Sequence, residues 1–193
     1  MFRKDTKKLV KVGVIEEANG PEWVAPSFDQ PKPKTNHVRF LSDFRNLNRQ
    51  LKLKPYPMPK ICKMILNLEG FQYATSLELN VGYYHIRLRN QASNLCTIIL
   101  PWGNYKYKHL PIARCNSPDI FQDKMNKCFC GFKFIRAYTN NLLIITKGDW
   151  YYHLKKLEQV LKISKKTGLS VISRSHSLDK RRWDIWVSWW RGK

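Results

Sequence analysis

The chain has 193 residues, of which 43% are hydrophobic, and it carries 35 Lys and Arg against 14 Asp and Glu, a formal net charge of +21 at pH 7. That length suits one domain or two small lobes sharing a core, and the apolar fraction is that of an ordinary globular protein. A surface this basic favours polyanions, through phosphate neutralisation and counterion release.

The five cysteines, Cys62, Cys96, Cys115, Cys128 and Cys130, are odd in number and lack paired CxxC spacing. They read as reduced thiols rather than a zinc site or a disulfide framework. The opening Met1-Phe2-Arg3-Lys4-Asp5 has no continuous apolar stretch, so no signal peptide or membrane span is expected and the expected location is intracellular. No internal period appears, which argues against a solenoid.

In chain order, Pro21, Pro26, Pro31 and Pro33 forbid a long helix and predict an extended arm with short edge strands. Val38 to Leu41 reads as a strand and Asp43 to Leu51 as a short helix. The cluster Pro55-Tyr56-Pro57-Met58-Pro59 precedes a predicted helix with Ile61, Ile65 and Leu68 on its apolar face. Gln72 to Leu79 reads as a strand ending at Glu78, followed by a turn at Asn80-Val81-Gly82. Thr97 to Leu100 and Tyr105 to Leu110 fit two strands joined through Pro101 to Asn104. Asn116-Ser117-Pro118 opens a helix running to about Phe129. The apolar runs Phe132 to Tyr138 and Leu142 to Ile145 make a hairpin with a polar tip. A last helix starts near Asp149, and its stripe Trp150, Leu154, Leu157, Leu161 is predicted to be core. Interleaved strands and helices with a hairpin predict an α+β fold, with helices backing an antiparallel sheet.

In such a sheet the strand end at Glu78, the tip at Asn140-Asn141 and the helix after Pro118 converge. Acids at the first two places would hold two magnesium ions for phosphoryl transfer, since two metals clamp the attacking and leaving oxygens. Here only Glu78 is acidic.

Several runs, in order and in register from about Leu9 to Leu169, carry a resemblance. They are Trp23 to Pro26, Val38 to Asn48, Tyr56 to Pro59, Ser76 to Tyr83, Leu110-Pro111 and Asn116 to Gln122. The chain resembles the reverse transcriptases of gypsy-like LTR retrotransposons. The resemblance implies fingers at about 1–70 and 87–115, a palm at about 71–86 and 116–169, and a missing thumb. It implies Mg or Mn as cofactor, with an RNA template and a DNA primer as partners. It places Lys32 and Arg39 on the incoming triphosphate and Tyr83 against the sugar 2′ position. Ile112 and Ala113 fall beside the nucleotide pocket, Gln122 with Phe121 on the helix backing it, and Tyr138 at the head of the family's Tyr-x-Asp-Asp hairpin.

The departures from the family decide the expected function. Glu78, Asn140 and Asn141 occupy the positions of its three catalytic aspartates, leaving Glu78 as the one, weak, charged metal ligand. Neutral amides offer a carbonyl oxygen but none of the negative charge that holds a strongly hydrated magnesium. The expectation is therefore a polymerase fold without turnover and no productively bound metal. The alternative is a non-enzymatic remnant that holds template and primer through phosphate contacts and stacking. Asparagine suits a tight turn, so the hairpin itself is expected to form. Arg114 is expected to place a bulky charge beside Ile112 and Ala113. From Ser170 the resemblance stops, and residues 170–193, rich in Arg, Lys and Trp, are expected to be an out-of-frame or disordered tail with no packed partner.

Overall fold

The computed structural model describes residues 2–21, 23–31, 38–52, 56–58, 70–79 and 82–179. The predicted helix after Pro59, Lys32, Cys62, the turn residues Asn80 and Val81, and the tail tryptophans lie outside the described residues. The chain divides into two compact units, Met1–Pro55 with Tyr83–Pro118, and Tyr56–Gly82 with Asp119–Lys193. Among the described residues no helix is long and apolar enough to cross a membrane.

The first unit opens with α1 (Phe2–Lys11), a helix that no apolar run announced, and continues through β1 (Ile15–Glu17), β2 (Ala25–Pro31), β3 (Val38–Ser42) and α2 (Arg45–Gln50). After the second unit's first segment it resumes with a 3-10 turn beginning at Gly82, then α3 (Asn90–Leu95), β5 (Thr97–Leu100) and β6 (Gly103–Tyr107). Its five strands are ordered β1-β6-β5-β2-β3. The described part of the proline-rich arm is extended, and each half of β2 pairs on one side only. β2 lies inside the sheet, and it tolerates Pro26 because its two ends pair on opposite sides. Ala25 and Pro26 run parallel to Ile98 and Ile99, whereas Ser27 to Pro31 run antiparallel to β3. Each end is locally an edge, where a missing N–H costs little. Beneath the sheet Ile15, Ala25, Phe44, Cys96, Ile98 and Tyr107 form the core.

The second unit is built on β4 (Tyr73–Leu79), the hairpin β7 (Ile135–Tyr138) and β8 (Asn141–Thr146), and β9 (Val171–Asp179), all antiparallel in the order β7-β8-β4-β9. Among the described residues two helices belong to it: α4 (Ser117–Cys128), whose first two residues lie in the other unit, and α5 (Trp150–Lys166). Burial of Leu142, Leu143 and Ile144 in succession marks β8 as a central strand, covered on both faces.

Two expectations are corrected here. The stripe Trp150, Leu154, Leu157, Leu161 is not the buried face of α5. Trp150, Leu154 and Leu161 are 45%, 40% and 42% exposed, while His153, Val160 and Ser164 are buried. At 100° per residue the buried face is rotated by about 70° from the predicted stripe. The helix turns this way because His153 finds hydroxyl partners on β4 and β8.

The second correction concerns the tail. Residues 171–179 are a strand whose backbone pairs with β4 from Tyr73↔Asp179 to Leu79↔Val171, with a bulge between Ser76 and Glu78. Without β9, β4 would be an edge strand with a row of unpaired N–H and C=O groups, and pairing satisfies them. Truncation after Ser170 is accordingly expected to lower the thermal midpoint by a few degrees or more. An unchanged midpoint in a melting curve would mean that β9 adds nothing to the sheet.

Candidate active site

The second unit assembles the candidate site from one strand end, one turn and one helix. Near the end of β4, Glu78 stands directly opposite Asn141, the first residue of β8, and Asn141 in turn faces Tyr138, the last residue of β7. The turn between them has two residues, Thr139 and Asn140. Its carbonyl at Asn140 accepts the Leu79 N–H at 2.7 Å, which closes the tip onto the end of β4.

The residue in the left-handed region is Thr139, with φ 45°, not either asparagine. A positive φ at the first loop position only is the pattern of a type II′ hairpin, where glycine is usual. A β-branched residue there is strained. Gln122 on α4 holds the strained turn. It is fully buried; its Oε1 accepts the Thr139 N–H at 2.8 Å, and its Nε2 donates to the Ala137 carbonyl at 2.9 Å and to Asn126 Oδ1 at 3.0 Å. Asn126 Nδ2 continues the chain to the Tyr56 hydroxyl at 2.7 Å. Two of the three bonds of the Gln122 amide go to the hairpin backbone, so it positions the tip. The i, i+4 spacing of Gln122 and Asn126 is plain in the sequence, but their partners on the hairpin and at Tyr56 are not.

At the tip, Asn140 Nδ2 donates to Glu78 Oε1 at 3.4 Å, Asn141 Nδ2 donates to Asn140 Oδ1 at 3.4 Å, and the Thr139 hydroxyl donates to the same Oδ1 at 3.2 Å. Glu78, Asn140 and Asn141 therefore form one connected cluster. Its donors consist of one carboxylate and two neutral amides, and the carboxylate already accepts an amide N–H. That set does not fit a pair of hydrated divalent cations, which need several negative oxygens. Among the described residues no group of three His, Cys, Asp or Glu is placed to hold a metal ion.

Gly82 lies against the same helix. A Cβ on it would stand 2.6 Å from Cζ and 3.1 Å from Cε1 of Phe121, whose ring is fully buried. Gly82→Ala is expected to cost about 1–3 kcal/mol by overpacking. Urea unfolding checks this, and a change within experimental error would mean that the ring moves aside freely.

The other predicted pocket residues belong to the first unit. Arg39 is placed by its backbone, opposite Gln30 in β3. Tyr83 is half-buried in the 3-10 turn (Gly82–His85), and its carbonyl accepts the Ile86 N–H at 3.1 Å. Ile112 is exposed, and Ala113 packs on the core with its carbonyl accepting from Asn48 Nδ2 at 3.0 Å. Arg114, expected to place a bulky charge beside Ile112 and Ala113, is 8% exposed, and its Nη1 donates to Cys96 Sγ at 3.6 Å. Burial raises the Cys96 thiol pKa, against the opposing pull of Arg114. Cys96 is thus an inert core thiol; Cys115, Cys128 and Cys130 are also free.

No profile of a known protein family matches the chain. Individual proteins do. The putative enzymatic polyprotein of Cassava vein mosaic virus is 27% identical over 95% of the chain, and the retrovirus-related Pol polyprotein from transposon gypsy of Drosophila melanogaster is 27% identical over 82%. Among solved structures, the foamy viral protease-reverse transcriptase in complex with double-stranded DNA superposes with a TM-score of 0.84 over 91% of the chain, at 22% identity. The homologues of this chain are retroelement polyproteins, and its fold is that of reverse transcriptase fingers and palm. The reverse-transcriptase-like chain spans 29% and 16% of the two polyproteins and 31% of the foamy viral chain. In this reverse-transcriptase frame the connected cluster Glu78, Asn140, Asn141 lies at the end of the central strands of the palm-like sheet.

Proposed function

We propose that this chain is a reverse-transcriptase fragment that keeps the palm and has lost RNA-directed DNA polymerisation. Residues 1–169 act as fingers and palm, and the segment from Ser170 is divergent. One observation carries the reading: the cluster at the hairpin tip contains a single carboxylate, Glu78, which accepts an amide hydrogen from Asn140. In the family that the chain resembles, three acids neutralise the metals that in turn neutralise the triphosphate. Here the formal charge of the cluster is that of one carboxylate, too little to hold a magnesium or manganese pair productively.

The test is primer extension on a primed RNA template with magnesium or manganese, beside a Glu78→Ala control. No extension above the control is expected. Extension that depends on Glu78 would sink the proposal.

A second reading is non-enzymatic binding of template and primer. It is supported by the net charge of +21 and needs no metal, since phosphate contacts and stacking suffice. The foamy viral relative's complex with double-stranded DNA agrees with it.

A further inference from the structure

Along one side of α1, Arg3, Lys7 and Lys11 recur every fourth residue, about 6 Å of axial rise apart. They border an open groove of about 430 Å³, and its other walls include Glu17 at the end of β1 and Trp102 and Tyr105 from the β5–β6 turn and β6. All of these residues belong to the first unit. The three cations are exposed, and among the described residues none of them takes part in an ion pair. This contrasts with the next lysines across the sheet. Lys106 and Lys108 are both held by Glu16, at 3.4 and 3.0 Å. Tyr105 is buried in the floor, Trp102 is half-buried, and the Arg3 guanidinium carbon stands 5.9 Å from the Trp102 ring centroid.

We propose that this groove is a binding site for single-stranded nucleic acid. The sugar-phosphate backbone runs along Arg3, Lys7 and Lys11, and a base stacks against Trp102. The row of unpaired cations at one-turn spacing matches a ligand with regularly repeated negative charge. The aromatic wall beside it separates a nucleic acid from an acidic peptide, because a base has a π-face and a glutamate side chain does not. Glu17, the one acid among the described residues of the groove wall, disfavours phosphate at its end and leaves room there for a base edge with exocyclic N–H groups. The site deepens the second reading above by giving it a location. It is independent of the acids missing from the palm.

The experiment measures fluorescence anisotropy of a labelled oligothymidylate with the full 193-residue chain at low salt. Two variants with the same change in net charge on the same helix are compared, Lys7→Glu with Lys11→Glu, and Lys4→Glu with Lys8→Glu. The first pair is expected to weaken binding by about tenfold or more and to flatten the dependence of log K on log salt by about 1.4, roughly 0.7 per lost phosphate contact on a single strand. The second pair is expected to stay within about twofold of the parent, as its side chains do not line the groove. Trp102→Leu is expected to weaken binding about tenfold with the salt slope unchanged, and Trp102→Phe to recover most of it. Equal losses for the two lysine pairs would overturn the site while leaving general binding intact. No binding by the parent chain would overturn both the site and the second reading. Equally effective competition by polyglutamate at matched charge would make the groove an acidic-peptide site and overturn the nucleic-acid assignment.

Discussion

Replacing Glu78, Asn140 and Asn141 together by aspartate is expected to give the palm a manganese site, with affinity raised on the order of a hundredfold over the parent chain. The geometry for it exists. Glu78 and Asn141 are cross-strand partners, and Asn140 reaches both of them through its amide. The change takes the cluster from one carboxylate to three within hydrogen-bonding reach. Three carboxylates so close repel one another when no cation is present, so the variant without metal is expected to melt below the parent. Manganese should then raise its midpoint, because a ligand bound only by the folded state stabilises it in proportion to the logarithm of its concentration. Titration calorimetry and melting curves with and without manganese measure the two effects. No gain in affinity would mean that the three side chains do not converge on one ion. Polymerisation need not return with the metal, because the resemblance places Ile112 and Ala113 where the family carries an aromatic or glutamine and a glycine beside the nucleotide pocket.

His153→Ala is expected to destabilise the chain by about 3–5 kcal/mol, the largest loss at any single polar side chain of α5. The imidazole is fully buried. Its Nε2 lies 2.8 Å from the Thr75 hydroxyl on β4, its Nδ1 lies 2.8 Å from the Thr146 hydroxyl on β8, and the Trp150 ring stacks on it with centroids 5.6 Å apart. A neutral imidazole has one donor and one acceptor nitrogen, and hydroxyls can complement either. Alanine would leave a cavity and remove that partner from two buried hydroxyls. His153→Phe fills the volume and is expected to lose less, because only the hydrogen bonds go.

A pH dependence follows as well. Burial lowers the His153 pKa below its ordinary 6.5. The unfolded chain therefore takes up a proton near pH 6.5 that the folded chain refuses, and stability is full above that pH and falls as the solution is acidified below it. His109, lowered by the same cause, adds in the same direction. Chemical denaturation at pH 7.5 and 5.5 should show a smaller drop for His153→Phe than for the parent. An alanine variant within about 1 kcal/mol of the parent would mean that His153 does not tie α5 to the sheet.

What was legible in the sequence was local. The strand that carries Glu78 and the hairpin around Thr139 and Asn140 follow from alternation and turn chemistry among neighbours, and α4 follows from Asn116-Ser117-Pro118. The order of the motifs along the chain was enough for the reverse-transcriptase resemblance, since that order is itself a property of the sequence. So was the loss of charge at the palm, because an amide in place of a carboxylate is a fact of composition.

The tertiary structure decided whatever depended on a distant partner. The buried side of α5 follows hydrogen bonds from His153 to threonines 78 and 7 residues away, and hydrophobic periodicity has no term for a satisfied buried polar group. Arg114 turns inward to a cysteine 18 residues away in sequence, and β2 lies inside its sheet because its two ends pair with different strands. β9 exists because β4 would otherwise leave an edge. Thr139, rather than an asparagine, takes the left-handed conformation because Gln122, 17 residues earlier, holds its N–H. Backbone pairing and buried polar groups are satisfied wherever the fold brings a donor and an acceptor together, and only the folded chain specifies where that is.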